Sequence, residues 1–258
     1  MSKILVITSG KGGVGKTTTA LNLAAAMKYF GVDTMVIDGN LSTPNIGIHL
    51  NAPNVPTSLN HVLRGKAEPF EAVYKHESGI KVIPASISVK EYKRTKSDRI
   101  KYLKNDFKKM ADYVIMDCAA GLGNEALSAI EAADELMIVT NPEMPAITDA
   151  LKAIKIAEEL KKPIKGIIVT RVKKDKLELT PKFVKEMLEI PILGMIPEDD
   201  TIRRSINEKN IAVHLYPKSK AARAYKEIAA RILNVPYDSD KDKESLVKKI
   251  FNWLGVDR

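Results

Sequence analysis

The sequence predicts a doubly wound α/β domain, a mainly parallel sheet with helices on both faces, and three observations predict it. Residues 10–17 read GKGGVGKT, the spacing G-x-x-x-x-G-K-[ST], between an apolar run at residues 4–7 and a helix-like segment at 17–29. Two further apolar runs, residues 34–37 and 113–116, each end in an aspartate, Asp38 and Asp117. Beyond residue 120, strand-like and helix-like segments alternate, and that rhythm demands parallel strands joined by right-handed crossovers.

Each element has a local reason. The run at 4–7 is a buried-type strand feeding the glycine-rich loop; the helix that leaves the loop closes at Gly31, and residues 34–37 form the next strand. Residues 52–79 carry Pro, Asn and short amphipathic pieces, which predict brief helices at 58–64 and 69–74. A strand follows at 80–84. Residues 97–110 read as one amphipathic helix, with Ile100, Leu103, Phe107 and Met110 near helical spacing. Helices at 124–133, 146–160 and 181–188 then alternate with strands at 135–140, 164–170 and 192–196, and a helix at 219–233 packs Ala222, Tyr225, Ala229 and Ile232 inward. Residues 1–233 are expected to be one domain, 234–244 a polar, mobile linker, and 245–258 an amphipathic helix.

Composition narrows the function classes. The 258 residues are 45% apolar, enough for a full core, with no run of about 18 apolar residues and no signal-peptide pattern, so a cytoplasmic body is expected. The lone Cys118 cannot close an intramolecular disulfide or supply a cysteine cluster, and its apolar surroundings predict a small buried side chain. His49, His61, His76 and His214 lack metal-ligand spacing. A formal charge of +9 permits contact with anionic lipid or nucleic acid and identifies neither.

The glycine-rich loop carries the chemistry. Gly10, Gly12, Gly13, Val14 and Gly15 let backbone N–H groups close around phosphate oxygens, at a helix N-terminus whose dipole favours anions. Lys16 is placed for the β- and γ-phosphates, Thr17 for magnesium, and Asp117, an acid ending an apolar strand, for the same cation. The expected cofactors are ATP and Mg²⁺. Asp38 falls on the same side, because ligands gather at the carboxyl ends of strands in open α/β sheets.

With Lys11 just inside GKGGVGKTT, the chain resembles the deviant Walker A ATPases, and within them the MinD/ParA family, nearest its MinD branch. The matching pieces are the loop, VIDGNLSTPNIG, MDCAAGLG, VTNPE, VTR at 169–171, IPEDDTIRRS and the amphipathic tail. The resemblance implies that Lys11 reaches a partner's nucleotide across an ATP-dependent homodimer and that Thr18 also binds phosphate. It further implies that Asp38 meets magnesium through water, and that Thr170, Arg171, Pro197, Glu198 and Asp199 surround the base. Three positions depart from the pattern. Thr170 stands where an Asn is frequent; Ala119 stands where Pro usually follows the second aspartate, which should loosen that loop. Asn40 stands where a second switch I Asp is usual. The Asn40 change is isosteric and confined to a catalytic position, the form an engineered ATP trap would take, and it should slow hydrolysis while sparing binding.

In the tail, a helix starting at Ser245 would gather Leu246, Val247, Ile250, Phe251, Trp253 and Leu254 on one side, with Lys248 and Lys249 towards the other. That is the make-up of an interfacial helix for anionic membrane lipid, and it implies peripheral binding to the inner membrane face. Two tails held by an ATP dimer would bind far better than one. An activating or cargo protein is expected as a further partner. DNA is disfavoured, although a ParA-like DNA-partition ATPase is one competing reading, and a nucleotide-gated scaffold with negligible turnover is another.

Overall fold

The computed structural model describes residues 2–239 except 122, 174, 176 and 177; the expected tail helix at 245–258 lies outside the described residues. The first half of the chain runs β1 (Lys3–Thr8), α1 (Lys16–Tyr29), β2 (Thr34–Gly39), α2 (Ile46–His49), α3 (Leu59–Leu63), β3 (Tyr74–Lys75), β4 (Lys81–Ile83), α4 (Val89–Tyr92), α5 (Lys104–Lys108) and β5 (Tyr113–Cys118). The second half runs α6 (Asn124–Ala132), β6 (Glu135–Thr140), α7 (Met144–Glu159), β7 (Ile164–Val172), α8 (Pro181–Leu188), β8 (Ile192–Pro197), α9 (Asp200–Asn207), α10 (Ala212–Leu215) and α11 (Lys220–Leu233).

Eight strands form one sheet in the order β3-β4-β2-β5-β1-β6-β7-β8, parallel throughout except for the antiparallel β3–β4 edge pair. The doubly wound parallel fold is therefore as the alternation predicts. Period-two geometry explains the layers: along β1, Leu5 and Ile7 join the cluster under α1 and α11, whereas Ile4 and Val6 join the cluster under α3, α5 and α6. Near-continuous apolar strands are what a sheet covered on both faces requires. β1 lies centrally, paired with β5 and β6; the chain leaves β1 for β2 on one side, while the connection after β6 runs to β7 on the other, which opens a crevice at their carboxyl ends.

Two expected helices take other forms. Residues 69–74 make a 3₁₀ turn at Pro69–Ala72, and Tyr74 then enters β3, where it pairs with Val82 while its hydroxyl donates to Thr57 C=O at 2.9 Å. Residues 97–110 split into a 3₁₀ segment, Ser97–Leu103, followed by α5. In a 3₁₀ turn, residues three apart eclipse, so Ile100 and Leu103 reach the same cluster without a continuous α-helix. The chain stays attached to the domain beyond α11, because the Tyr237 ring packs edge-on against Phe30 and Tyr29 at the far end of α1.

Candidate nucleotide site

The glycine-rich loop spans the end of β1 and the start of α1, anchored by buried Val14. Gly13 (φ 79°) and Gly15 (φ 94°) hold left-handed conformations that a side chain would strain, and Gly15 is the N-cap of α1. That helix start has no side-chain cap and no acid in its first turn, which leaves its free N–H groups available to an anion. At the loop entrance a Cβ on Gly10 would lie 1.9 Å from the Asp149 carbonyl oxygen, so α7 packs directly on the loop backbone. The Lys16 ammonium is buried and donates to Ser9 Oγ at 3.0 Å; burial lowers its pKa, opposed by the Asp117 charge. Ser9 also donates to Lys11 C=O at 2.7 Å, and its own carbonyl accepts Gly121 N–H at 3.3 Å. One buried serine thus joins the two loop lysines to the segment after Asp117. The Lys11 side chain itself is exposed.

Asp38 and Asp117 sit side by side, register partners on β2 and β5, both buried. Asp117 Oδ2 accepts the Thr17 hydroxyl at 2.5 Å, and its Oδ1 is buried without a hydrogen-bond partner. Burial raises its pKa to about 6, against the pull of Thr17 and Lys16. Burial and the neighbouring Asp117 charge also raise Asp38 well above the carboxylate range, although its carboxylate accepts backbone N–H groups of Asn40, Asn45 and Ile46. An orphaned buried carboxylate oxygen beside a hydroxyl and a second acid fits a hard divalent cation, which would supply the missing charge. Among the described residues, no group of three or more His, Cys, Asp or Glu side chains could hold a metal.

The loop after β2 is folded around Asn40. Its Oδ1 accepts from Thr43 N–H (3.3 Å), Thr43 Oγ1 (3.0 Å) and Ser42 Oγ (3.3 Å), and its Nδ2 donates to Thr43 C=O at 2.7 Å. Cys118 is fully buried, with its thiol pushed up to about 12 by burial, which leaves it inert as a nucleophile.

A cavity of about 380 Å³ opens beside the loop, lined by Gly15, Thr18, Thr170, Arg171, Pro197, Glu198 and Asp199, with Ile202, Arg203, Ile206 and Tyr225 completing the wall. Arg171 takes φ 56° where β7 shifts register against β8, and this places its exposed side chain at the cavity. Thr170 lines the cavity, and its hydroxyl is committed to the loop. Its Oγ1 lies 2.6 Å from Val14 C=O and 2.8 Å from the Asn141 side-chain oxygen, so it braces the phosphate loop. The Asp199 carboxylate is also committed: it accepts from Thr201 and from Ala221 N–H, capping α9 and pinning the turn to α11. Burial opposes its ionisation, and those hydrogen bonds prevail to lower its pKa.

The ParA family profile, described as NUBPL iron-transfer P-loop NTPase, matches residues 1–233. An uncharacterized ATP-binding protein of Methanocaldococcus jannaschii is 38% identical over 98% of this chain and 97% of its own length. The septum site-determining protein MinD of Buchnera aphidicola subsp. Schizaphis graminum is 32% identical over 97% of this chain and 99% of its own. The chain belongs to the ParA/MinD family of P-loop NTPases. A solved member, MinD from Pyrococcus horikoshii complexed with Mg-ADP, superposes with a TM-score of 0.86 at 30% identity, covering 90% of this chain and 96% of that one.

In this ParA/MinD-family site, the structure brings together Gly10, Lys16, Thr17, Thr18, Asp38 and Asp117 at the sheet's carboxyl edge, with Arg171 and Pro197–Asp199 at the adjoining cavity. Leu246, Val247, Lys248, Lys249, Ile250, Phe251, Trp253 and Leu254 lie outside the described residues. Sequence reasoning passed over Ser9, whose role shows only in its contacts, and Tyr225, which it took as core. Tyr225 both lines the cavity and bonds Thr19 at 3.2 Å across α1 and α11.

Proposed function

We propose that this protein is a nucleotide-driven switch that dimerises around Mg·ATP, hydrolyses it slowly, and uses the dimer to hold a C-terminal helix on the cytoplasmic membrane face, where it positions division or other cellular machinery. The observation that carries the reading is the convergence at one strand edge of Lys16, Thr17 and the half-satisfied Asp117, with Lys11 exposed on the same loop. In this reading Thr17 and Asp117 hold magnesium, and Asp38 stands behind them. The cation, when bound, would neutralise developing phosphate charge. Lys16 gives up its Ser9 contact for phosphate, the free amides at the start of α1 bind oxygens, and Arg171 and the Pro197–Asp199 turn flank the base.

Lys11 is free to reach a second copy because its side chain is exposed and makes no ion pair or hydrogen bond among the described residues. Asn40 supplies no carboxylate to orient or deprotonate water, and its amide is spent holding its own loop, which supports slow turnover. The membrane step rests on the tail sequence; among the described residues no helix is long and apolar enough to cross a membrane. Each lysine contributes about 1 kcal/mol at an anionic surface, so a single tail binds marginally and a pair binds well. The test is co-sedimentation with phosphatidylglycerol vesicles in Mg·ATP and Mg·ADP. Retention in ATP that is lost in ADP and lost on deleting residues 245–258 is expected; equal retention in both nucleotides defeats the mechanism, and retention on DNA instead favours a partition ATPase.

A further inference from the structure

Beside the two loops that frame the acid pair lies a groove of about 520 Å³ that the nucleotide reading does not use. Leu41 and Ser42 bound it on one side, Ala119 and Gly123 on another, and Tyr92 and Lys93 of the α4 segment close it. The α4 segment has the wrong surface for a solvated turn. Val89 is 66% exposed, Ile87 45% and Tyr92 38%, an apolar strip without cover. Around it stand Lys90, Lys93, Arg94 and Lys96, all exposed and none in an ion pair among the described residues. Lysines a few residues on are paired: Lys101 with Glu131, and Lys104 and Lys108 with Asp134. Two neighbouring acids, Glu91 and Glu125, are already engaged. Glu91 meets His61 at 3.1 Å, and Glu125 Oε2 accepts from Ser42 N–H and Ser42 Oγ, each at 3.2 Å, while the Tyr92 hydroxyl shares the groove wall with the Glu125 carboxylate, which raises its pKa.

We propose that this groove is the docking site for an acidic, apolar-bearing segment of a protein partner, and that Glu125 relays its occupancy to the loop after β2. Charge complementarity selects the occupant: unpaired cations flank an apolar strip, so the fitting segment brings carboxylates together with a side chain that enters the recess. A flat bilayer or a nucleic-acid duplex supplies charge and nothing to fill a cleft between two loops. Glu125 leads from the groove to Ser42, whose single hydroxyl proton is shared between Glu125 Oε2 and Asn40 Oδ1, and Asn40 N–H donates to Asp38. A segment that takes the Tyr92 hydroxyl frees Glu125 and so loosens the loop over the acid pair. The relay rests on the nucleotide reading above; the docking does not.

The probe is a fluorescein-labelled amphipathic helical peptide of Leu and Glu, its Gln counterpart serving as control, titrated into the full chain by anisotropy. The Glu peptide is expected to bind at least about 10-fold tighter than the Gln peptide, and Lys93→Glu with Arg94→Glu is expected to cost about 10-fold or more, with Lys182→Glu on the distant α8 neutral. Equal binding of the two peptides, no binding, or the same loss in Lys182→Glu overturns the docking site. Loss of phosphatidylglycerol-vesicle or duplex-DNA binding in the double variant, with the peptide unaffected, overturns it in favour of that surface. For the relay, Tyr92→Phe keeps the ring and removes the hydroxyl. It should weaken peptide binding by no more than about 10-fold, the share of one hydrogen bond, while abolishing at saturating peptide the peptide's effect on the dissociation rate of fluorescent ADP. Peptide binding with no effect on that rate in the unaltered chain overturns the relay. Titration of fluorescent ADP without peptide reads the nucleotide site separately, so its failure is told apart from failure of the groove.

Discussion

Changing Asn40 to aspartate should move stability and turnover in opposite directions. Asn40 is only 8% exposed, and its Nδ2 lies 2.7 Å from the Thr43 carbonyl oxygen, a distance at which a carboxylate would set two oxygens against each other. The substitution removes that hydrogen bond, leaves the carbonyl with the Asn45 Nδ2 donor alone at 2.9 Å, and adds an acid next to Asp38, which burial and Asp117 already push towards protonation. Losing a buried hydrogen bond and setting a carboxylate oxygen against the carbonyl costs roughly 2 kcal/mol, a fall in melting temperature of about 5 °C for a chain this size. The same carboxylate can orient and accept a proton from water, so turnover at saturating Mg·ATP should rise about 10²-fold, equal to about 2.7 kcal/mol of barrier. The assay pairs thermal unfolding without nucleotide with phosphate release at saturation. Unchanged turnover refutes the account of Asn40 as the hydrolytic control point, and an unchanged melt refutes its role as the clamp of its loop.

Gly10→Ala forces its Cβ from 1.9 Å to about 3.3 Å from the Asp149 carbonyl oxygen, a shift of more than about 1 Å between loop and α7, and should destabilise the free protein by about 2 to 3 kcal/mol. Gly12→Ala, whose nearest neighbour would be 3.8 Å away, should cost under about 0.5 kcal/mol in the same urea titration. Thr170→Val removes the brace on Val14 and should weaken ATP and GTP binding by the same factor, about 10-fold; a loss confined to ATP would mean the hydroxyl reads the base. Burial works against ionisation of Asp134, but Lys104, the Ile4 N–H and Lys108 outweigh it and hold the carboxyl at about 2, below its unfolded value. Its contribution is therefore present above about pH 4 and is lost as pH falls through about 2. Asp134→Asn should remove about 1 kcal/mol at pH 7, allowing for solvent screening, and flatten that part of the acid limb.

The parts legible in sequence are those where one residue type has one use at one spacing. The glycine-rich loop, the apolar strands ending in Asp38 and Asp117, and the alternation after residue 120 translate directly, because a parallel sheet covered on both faces needs continuous apolar runs. The 97–110 segment was harder, since Ile100 and Leu103 satisfy α and 3₁₀ spacing alike and only tertiary packing chooses. Tyr74 joined a strand through pairing with Val82, a contact no local pattern carries. Within the site, Ser9 and Glu125 were invisible because their importance is entirely in contacts to residues distant in sequence, Ser42 to Glu125 spanning 83 positions. Thr170 shows the converse: its position beside the cavity was legible, whereas the direction of its hydroxyl was not.

Sedimentation equilibrium of the chain in Mg·ATP and in Mg·ADP, with and without Lys11→Ala, tests the central claim most directly. The account predicts twice the monomer mass in ATP, monomer in ADP, and monomer in both for Lys11→Ala while its nucleotide affinity is preserved. The same mass in both nucleotides, or a Lys11→Ala variant that still dimerises in ATP, would contradict it.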